Sequence, residues 1–222
     1  MEGILTPSVK ICCISSTQEA QLAIKYGASA IGLVGNMPSG PGVISDDLIR
    51  VIAQDISPPI ATFLLTSETD AAAIIKHYQK AQTSTIQIVD ALQIGTYQQI
   101  REGLPHVKLV QVIHVIDEKS VAEAIQISKQ VDIILLDSGN PNLKVKELGG
   151  TGRTHNWELS KQIRAAIDIP LFLAGGLKAS NVRAAIETVQ PYGLDLCSGV
   201  RTNGHLDKAK LAAFFEAVNG NS

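Results

Sequence analysis

The chain has 222 residues, of which 45% are hydrophobic and 18% are charged, so it can bury a substantial core. Its formal net charge of -2 gives no electrostatic reason to expect nucleic acid or an anionic membrane as a partner. Residues 1–8 lack signal-peptide features, no apolar run approaches the ~20 residues of a membrane span, and three cysteines, two of them adjacent, suit a reducing compartment, so we expect a cytoplasmic globular protein.

Short apolar runs and helix patterns alternate along the sequence. The first run, "VKICCIS", lies at residues 9–15 and is followed by a capping box, Ser16 to Glu19, which predicts a helix that stops near Gly27. Seven further apolar runs predict strands at residues 29–34, 59–65, 85–89, 107–113, 131–137, 169–176 and 193–199. Helices are predicted near Asp46, at Thr69 with Ser67 as its cap, near Thr96, at Lys119, at Trp157, and after each of the last two strands.

The number and order of these elements indicate a fold class. Strands rich in Val, Ile and Leu are typical of a parallel sheet that is covered on both faces, and their alternation with helices indicates βαβ units. Eight such units predict a (β/α)8 barrel, below the usual size of ~250 residues, with a doubly wound open sheet as the alternative. Since no linker or composition shift divides the chain, residues 1–222 are predicted to form a single α/β barrel domain.

The two adjacent cysteines can be placed by the alternation of side chains along a strand. Lys10 and Cys12 share one face, and Cys13 shares the other face with its apolar neighbours. A lysine would pack poorly against the surrounding helices, so Lys10 and Cys12 are placed toward the barrel interior. Cys12 then lies at the C-terminal rim, where barrel enzymes keep their active sites, while Cys13 is expected to pack against helices. The alternative is that both cysteines are ordinary buried core residues.

Asp137 ends the otherwise apolar run "VDIILLD" at residues 131–137. A carboxylate has little structural use at the end of a buried strand, so Asp137 is a candidate catalytic residue at the same rim as Cys12. The alternative is a helix cap or a loop residue that only accepts hydrogen bonds.

Three glycine-rich stretches follow the last three predicted strands. Glycine lets backbone N–H groups approach an oxyanion closely, and the loops after strands seven and eight of a barrel often bind phosphate. Each glycine pair alone could be a turn, but together they predict a phosphorylated small-molecule ligand. The candidate phosphate-binding residues are Gly149, Gly150, Thr151, Gly152, Gly175, Gly176, Ser198 and Gly199.

The motifs "VKICCIS", "LLDS", "GGTGRTHNW", "LFLAGGLKASNV" and "VQPYGLDLCSGV" resemble those of the phosphoribosylanthranilate isomerase family. That family typically shows K-I-C-G-[IL]-T, L-L-D-S, G-G-T-G-x-x-F-D-W, L-A-G-G-L-x-x-x-N-V and D-[VL]-S-S-G-V. The order and spacing of the motifs agree over essentially the whole chain, most closely from residue 131 onward.

The resemblance implies an Amadori rearrangement in tryptophan biosynthesis, in which a phosphoribosyl aminoaldose becomes an aminodeoxyribulose phosphate without metal or cofactor. By their match to the motifs, Cys12 would be the general base and Asp137 the general acid. The thiol must then give up its proton readily, and the carboxyl group must keep its proton near neutral pH. Lys10, which is counted with the substrate-binding residues, could stabilise the thiolate.

Several positions depart from the family pattern. Cys13 stands in place of glycine, Asp90 in place of histidine, and the loop after the second strand, residues 35–45, lacks the usual arginine. Arg201 and Arg153 are candidates for the missing cation, although each could be a solvated loop arginine. Asn156 and its neighbour His155 replace Asp and Phe of the motif.

The departures leave alternatives open. The chain could act on another phosphoribosyl amine, or it could be a non-catalytic protein that binds a phosphosugar. The sister isomerase of histidine biosynthesis is a further alternative, but that family has aspartate where Cys12 stands. The expected partner is a phosphorylated small molecule, with no nucleic acid or membrane, and the chain is expected to be a monomer or a homodimer.

The connection between Asp137 and Trp157 is long for a βα loop. Its polar, lysine-bearing first half and its glycine-rich second half predict a mobile lid that orders over a bound phosphate. An ordinary surface loop is the alternative.

Overall fold

The computed structural model describes residues 6–220, so residues 1–5, on which part of the signal-peptide prediction rests, lie outside it. Eight parallel strands alternate with eight helices. The strands are β1 Ser8–Ile11, β2 Ala30–Val34, β3 Ala61–Thr66, β4 Thr85–Ile88, β5 Lys108–His114, β6 Ile133–Asp137, β7 Leu171–Leu173 and β8 Gly193–Leu196. The helices are α1 Thr17–Tyr26, α2 Asp46–Asp55, α3 Ala71–Ala81, α4 Tyr97–Gly103, α5 Lys119–Ser128, α6 Trp157–Ala166, α7 Val182–Val189 and α8 Lys208–Asn219.

The eight strands close into a barrel in sequence order. Closure is made by β1, which pairs in parallel with β2 on one side and with β8 on the other, in the register Ser8↔Gly193 to Ile11↔Leu196. The predicted (β/α)8 fold is therefore confirmed. The open-sheet alternative is wrong, because β1 and β8 would not pair with each other in an open sheet.

The strands bury apolar residues on both faces. Ile11, Ile31 and Leu64 belong to the large layer between strands and helices, whereas Phe63 and Val110 belong to the smaller cluster inside the barrel. This two-sided burial explains why the strand sequences read as continuous apolar runs rather than alternating ones. No helix within residues 6–220 is long and apolar enough to cross a membrane.

The helix boundaries mostly follow the predicted signals, with two corrections. The Ser16 side chain caps α1 by accepting from the Glu19 amide at 3.1 Å, but the Glu19 carboxylate accepts from the Ser15 amide, so the capping box is only half formed. The predicted cap Ser67 is wrong, because α3 begins later and Asp70 accepts from its first turn.

After β8 the chain forms a short 3-10 helix, Ser198–Val200, and an antiparallel hairpin of β9 (Arg201–Thr202) and β10 (His205–Leu206) before α8. The hairpin brings Arg201 next to the loop that follows β1, because the Arg201 guanidinium donates to the carbonyls of Cys12 and Cys13. The guanidinium and the amide of Leu206 also donate to the Glu19 carboxylate of α1. The ends of β1 and β8 are thereby fastened together beside the barrel mouth.

Candidate active site

A cavity that is open to solvent lies at the C-terminal end of the barrel. Its wall is built from strand ends and the loops that follow β1, β2, β6, β7 and β8. The predicted site residues among those that line it are Cys12, Asp137, Gly149, Gly150, Thr151, Gly152, Gly175, Gly176 and Ser198.

Cys12 follows β1 directly and continues its ladder, since its amide donates to the Leu196 carbonyl of β8 at 2.9 Å. The residue is 6% exposed and belongs to the interior cluster, as the strand alternation predicted. Its thiol lies over Gly32 of β2, where a side-chain Cβ would come within 2.8 Å of the sulfur. Glycine at this position therefore leaves room for both the thiol and the lysine amine beneath it.

Lys10 is fully buried inside the barrel, two residues before Cys12 and on the same side of the chain. Its amine pairs with Asp195 of β8 at 2.8 Å and lies 5.3 Å from the ring centre of Phe63. Burial alone would lower the Lys10 pKa, but the Asp195 carboxylate and the Cys12 thiol outweigh burial and raise this pKa above its usual value. Lys10 is therefore a fixed positive charge below the thiol, and its predicted role as a substrate contact is not supported by this position.

Asp137 is the last residue of β6 and is 7% exposed. Burial raises the pKa of its carboxyl group, and the nearby Asp195 charge adds to this, while the Ser138 amide, His114 and Lys10 oppose it. The net rise in pKa is what a general acid requires, because the group must be protonated near neutral pH. A Cβ at Gly149 would lie 2.9 Å from the Asp137 carboxylate, so the loop after β6 closely covers this carboxyl group.

The prediction that Cys13 faces the helices is wrong. β1 ends at Ile11, and Cys13 has a φ of 61°, so the strand alternation no longer applies to it. Its side chain lines the cavity with Cys12, and its thiol donates to the Pro41 carbonyl at 3.6 Å. A left-handed conformation costs a non-glycine residue about 1–2 kcal/mol, which is the physical reason why glycine suits this position.

The three glycine-rich stretches converge on one side of the cavity. A Cβ at Gly176 would lie 2.8 Å from the Gly152 carbonyl oxygen, so the loop after β6 packs directly on the turn after β7. A Cβ at Gly199 would lie 2.0 Å from the Leu177 carbonyl oxygen, so the 3-10 helix packs on the same turn. Only glycine permits these two backbone approaches, and the resulting surface presents main chain rather than side chains to a ligand.

The two candidate arginines have other partners. Arg201 has a side chain only 8% exposed, and its guanidinium donates to Glu19 and to the carbonyls of Cys12 and Cys13. It is therefore neither a solvated loop residue nor free to bind a substrate carboxylate. Arg153 pairs with Glu147 and is 61% exposed, which fits the solvated alternative better than a site role.

The loop of residues 138–156 lines the cavity with its residues 148–152. Ser138 contacts Thr151 through their hydroxyl groups at 2.8 Å, which joins the start of the loop to its glycine-rich half. Lys146 pairs with the buried carboxylate of Asp90, and its carbonyl accepts from Ser39 on the loop after β2. These contacts link the loops after β2, β4 and β6 at the cavity rim. They also place Lys146 of the predicted lid beside this rim.

Sequence reasoning missed Asp195 and Cys197, which both line the cavity. Asp195 carried a signal, because a carboxylate inside an apolar strand needs a buried partner, and the register pairs it with Lys10. Gln87 of β4 also lines the cavity and is 3% exposed, and its amide inside an apolar strand is the same kind of signal. Met37 and Pro41 of the loop after β2 carried no such signal, since loop contacts are set by the fold.

Comparisons with known proteins agree with this geometry. A sequence model described as N-(5'phosphoribosyl)anthranilate (PRA) isomerase matches residues 9–217. The N-(5'-phosphoribosyl)anthranilate isomerase of Methanosarcina acetivorans is 31% identical over 223 residues, which cover 95% of this chain and 92% of that protein.

Solved structures show the same fold. Phosphoribosyl anthranilate isomerase from Thermotoga maritima is 26% identical with a TM-score of 0.80, covering 96% of this chain and 99% of that chain. A phosphoribosyl anthranilate isomerase crystallised with reduced 1-(o-carboxyphenylamino)-1-deoxyribulose 5-phosphate is 24% identical with a TM-score of 0.77 and the same coverage. With the barrel, the cysteine and aspartate at its mouth and a family match across nearly its whole length, the chain belongs to the phosphoribosylanthranilate isomerase family.

Proposed function

We propose that this chain catalyses the Amadori rearrangement of N-(5'-phosphoribosyl)anthranilate to 1-(2-carboxyphenylamino)-1-deoxyribulose 5-phosphate, a step of tryptophan biosynthesis. The observation that carries the proposal is that Cys12 and Asp137, the two residues whose motifs match the family's base and acid, line one cavity together with the glycine-rich loops. The reaction needs one acid and one base and requires no cofactor.

The proposed mechanism uses the two groups in sequence. Asp137, whose pKa is raised by burial, acts as the acid: it donates a proton to the ribose ring oxygen and opens the ring to a protonated Schiff base. Cys12 as thiolate then removes the C2' proton, and the electron pair moves into the cationic imine to give an enolamine. Tautomerisation of the enolamine to the ketone completes the rearrangement. Lys10 and Asp195 form a buried ion pair that holds the floor of the cavity rigid below the Cys12 thiol.

The decisive assay follows the fluorescence of freshly prepared phosphoribosylanthranilate with and without the protein. We expect faster decay with the protein and formation of the deoxyribulose product, measured by chromatography. A rate equal to the uncatalysed rate, together with retained binding of phosphorylated ligands, would support the non-catalytic alternative instead. In the cell we propose a cytoplasmic, single-domain enzyme, as a monomer or homodimer, which fractionation and sedimentation would test.

Inorganic phosphate is expected to compete with the substrate and to raise the thermal unfolding midpoint, because the main-chain surface around Gly176 and Gly199 suits a phosphate group. The measurements are steady-state inhibition and thermal unfolding at increasing phosphate or sulfate. Chloride at matched ionic strength is the control. A dephosphorylated product analogue that binds as tightly as the phosphorylated one would contradict this role for the glycine-rich surface.

Lys146 is proposed to recognise the substrate carboxylate in place of the arginine absent from the loop after β2. The other cations near the mouth are occupied: Lys10 by Asp195 and Arg201 by Glu19. The Lys146 side chain is 44% exposed, whereas that of its partner Asp90 is only 8% exposed, so Lys146 has room for a second anion.

Lys146→Met combined with Asp90→Asn is expected to raise KM for phosphoribosylanthranilate by about tenfold with kcat nearly unchanged, since one charged hydrogen bond contributes about 1.5–3 kcal/mol. The second substitution avoids leaving a buried, unpaired carboxylate. Lys144→Met on the same loop, which removes an exposed lysine, is the matched control. The analogue phosphoribosylaniline, which lacks the carboxylate, should show no KM difference between the variants; an equal KM rise for both substrates would refute the assignment.

The loop of residues 138–156 is proposed to act as a lid that excludes water from the Schiff base, whose hydrolysis is the competing reaction. Trypsin is expected to cleave after Lys144 and Lys146 several-fold more slowly when a phosphorylated product analogue is bound. Cleavage after the exposed Lys129, on the far side of the barrel from the loop, serves as the internal control. Equal cleavage of the loop at saturating analogue would show that it is not a lid.

A further inference from the structure

All three cysteines of the chain meet at one side of the cavity. Cys12, Cys13 and Cys197 line it, and all three are free thiols. The register Ile11↔Leu196 and the hydrogen bond from the Cys12 amide to the Leu196 carbonyl bring the ends of β1 and β8 side by side. The guanidinium of Arg201, four residues after Cys197, donates to the carbonyls of Cys12 and Cys13 and so holds the two segments together.

Two of the three are not needed for the proposed isomerisation. At the positions of Cys13 and Cys197 the family motif has glycine and serine, so this chain carries two extra thiols in the wall of one cavity. Cys13 is held at a φ of 61°, a conformation that costs energy, and Gly42 leaves space for it, since a Cβ there would lie 2.5 Å from the Cys13 Cβ. Backbone strain retained beside a reactive centre is an indication of function.

The surroundings make the two thiols chemically different. The Cys13 hydrogen bond lowers the pKa of Cys197, and the Arg201 guanidinium adds to this against the effect of burial. Hydrogen bonding to Cys12 and Cys197, together with burial, raises the pKa of Cys13. Cys197 is also the more exposed of the two. An accessible thiol with a lowered pKa beside a second thiol is the arrangement in which a sulfenic acid forms and is then resolved to a disulfide.

We propose that Cys197 and Cys13 are a modification site for hydroperoxides, at which a reversible disulfide forms beside Cys12 and stops turnover. The Cys197 thiolate attacks one peroxide oxygen, the O–O bond breaks, and the products are a sulfenic acid and an alcohol or water. The Cys13 thiol then attacks the sulfenic sulfur, forming the S–S bond and releasing water. Two thiols are oxidised by two electrons in total, and one peroxide is reduced.

The disulfide would change the site through Cys13. Its thiol would give up the hydrogen bond to the Pro41 carbonyl, which joins the loop after β2 to the cavity wall. Because Cys12 and Cys13 share a peptide bond, a shift of Cys13 moves the proposed general base. A displacement of about 1 Å lowers a rate by about 10²-fold. A Cys12–Cys13 disulfide is disfavoured, since adjacent residues close the ring only with a distorted peptide bond.

The test treats the full-length reduced protein with one equivalent of hydrogen peroxide, blocks remaining thiols, and maps peptides by mass spectrometry. We expect a cross-linked peptide joining Cys13 to Cys197, a free thiol at Cys12, a loss of isomerase activity of at least about tenfold, and recovery with dithiothreitol. The effect on turnover rests on the proposed function, but the cross-link is detected independently of activity. Failure of the disulfide proposal can therefore be distinguished from failure of the proposed function.

Cys197→Ser is the matched variant, because it restores the motif residue and leaves Cys12 and Cys13 in place. One equivalent of peroxide should produce no disulfide in it and should lower its activity less than that of the wild type, because the Cys13–Cys197 bond can no longer form. A wild-type cross-link that involves Cys12, the lack of any cross-link once one equivalent of peroxide has been consumed, or a Cys13–Cys197 cross-link with unchanged activity would each overturn the proposal.

Discussion

Replacing Cys12 by alanine, or Asp137 by asparagine, is expected to lower kcat by about 10²- to 10⁴-fold, because each variant removes one of the two proton-transfer groups of the proposed mechanism. Both residues line the cavity, and burial raises the pKa of Asp137. Steady-state kinetics with phosphoribosylanthranilate measure the loss. Full activity in Cys12→Ala would end its assignment as the base.

Cys13→Gly is the matched control, since it alters the neighbouring thiol but restores the residue that suits a φ of 61°. We expect the reduced variant to retain most of its activity. The reason is relief of backbone strain, and not the packing against helices that the sequence suggested.

Measurements of stability should also show that the Asp137→Asn variant loses activity without losing its fold. Burial raises the pKa of Asp137 above its ordinary 3.8, so ionising it costs stability in the folded state. The contribution of the protonated carboxyl to stability is complete below the unfolded pKa and is lost as the pH rises through the folded pKa. The stability of Asp137→Asn relative to wild type should therefore increase as the pH rises across that range, as measured by urea unfolding. A pH-independent difference would indicate that Asp137 ionises without cost.

Replacing Lys10 by methionine is expected to lower the free energy of unfolding by about 3–5 kcal/mol, because the Asp195 carboxylate would be left buried and unpaired. The Lys10 side chain is 0% exposed and that of Asp195 is 8% exposed, so water cannot replace the lost partner. Urea unfolding near neutral pH measures the change.

Two comparisons keep this prediction specific. Lys10→Met together with Asp195→Leu should recover most of the loss, since replacing a whole buried ion pair by apolar residues is often neutral. Glu187→Gln, which breaks the exposed pair with Arg183, should cost at most about 0.5 kcal/mol. A Lys10→Met loss as small as that of Glu187→Gln would mean that the pair is not buried in solution.

The barrel could be predicted because its signals are local. A strand covered on both faces reads as a continuous apolar run, and a helix start reads as a capping residue, as at Thr96, which forms a full capping box with Gln99. The predicted cap of α3 was wrong, since Asp70 and not Ser67 accepts from its first turn. Serine and aspartate both cap helices well, so the residue type alone does not decide, and the position at which the helix begins after β3 does.

The site could be predicted in part. Alternation along β1 placed Lys10 and Cys12 inside the barrel, and the end of β6 placed Asp137 at the rim. The same rule failed one residue later, at Cys13, because the rule holds only while the chain remains a strand. The catalytic and binding roles of these residues stay predictions until the substitutions are made.

By itself, the sequence determined the fold class, the order of the elements and the end of the barrel where the candidate catalytic residues lie, since each follows from hydrophobic pattern and strand direction. The tertiary structure alone decided which charges find partners: Lys10 with Asp195, Arg201 with Glu19, and Lys146 with Asp90. The physical reason is that each pair joins segments far apart in the chain. Burial and distance, which set the energy of an ion pair, exist only once the barrel has closed.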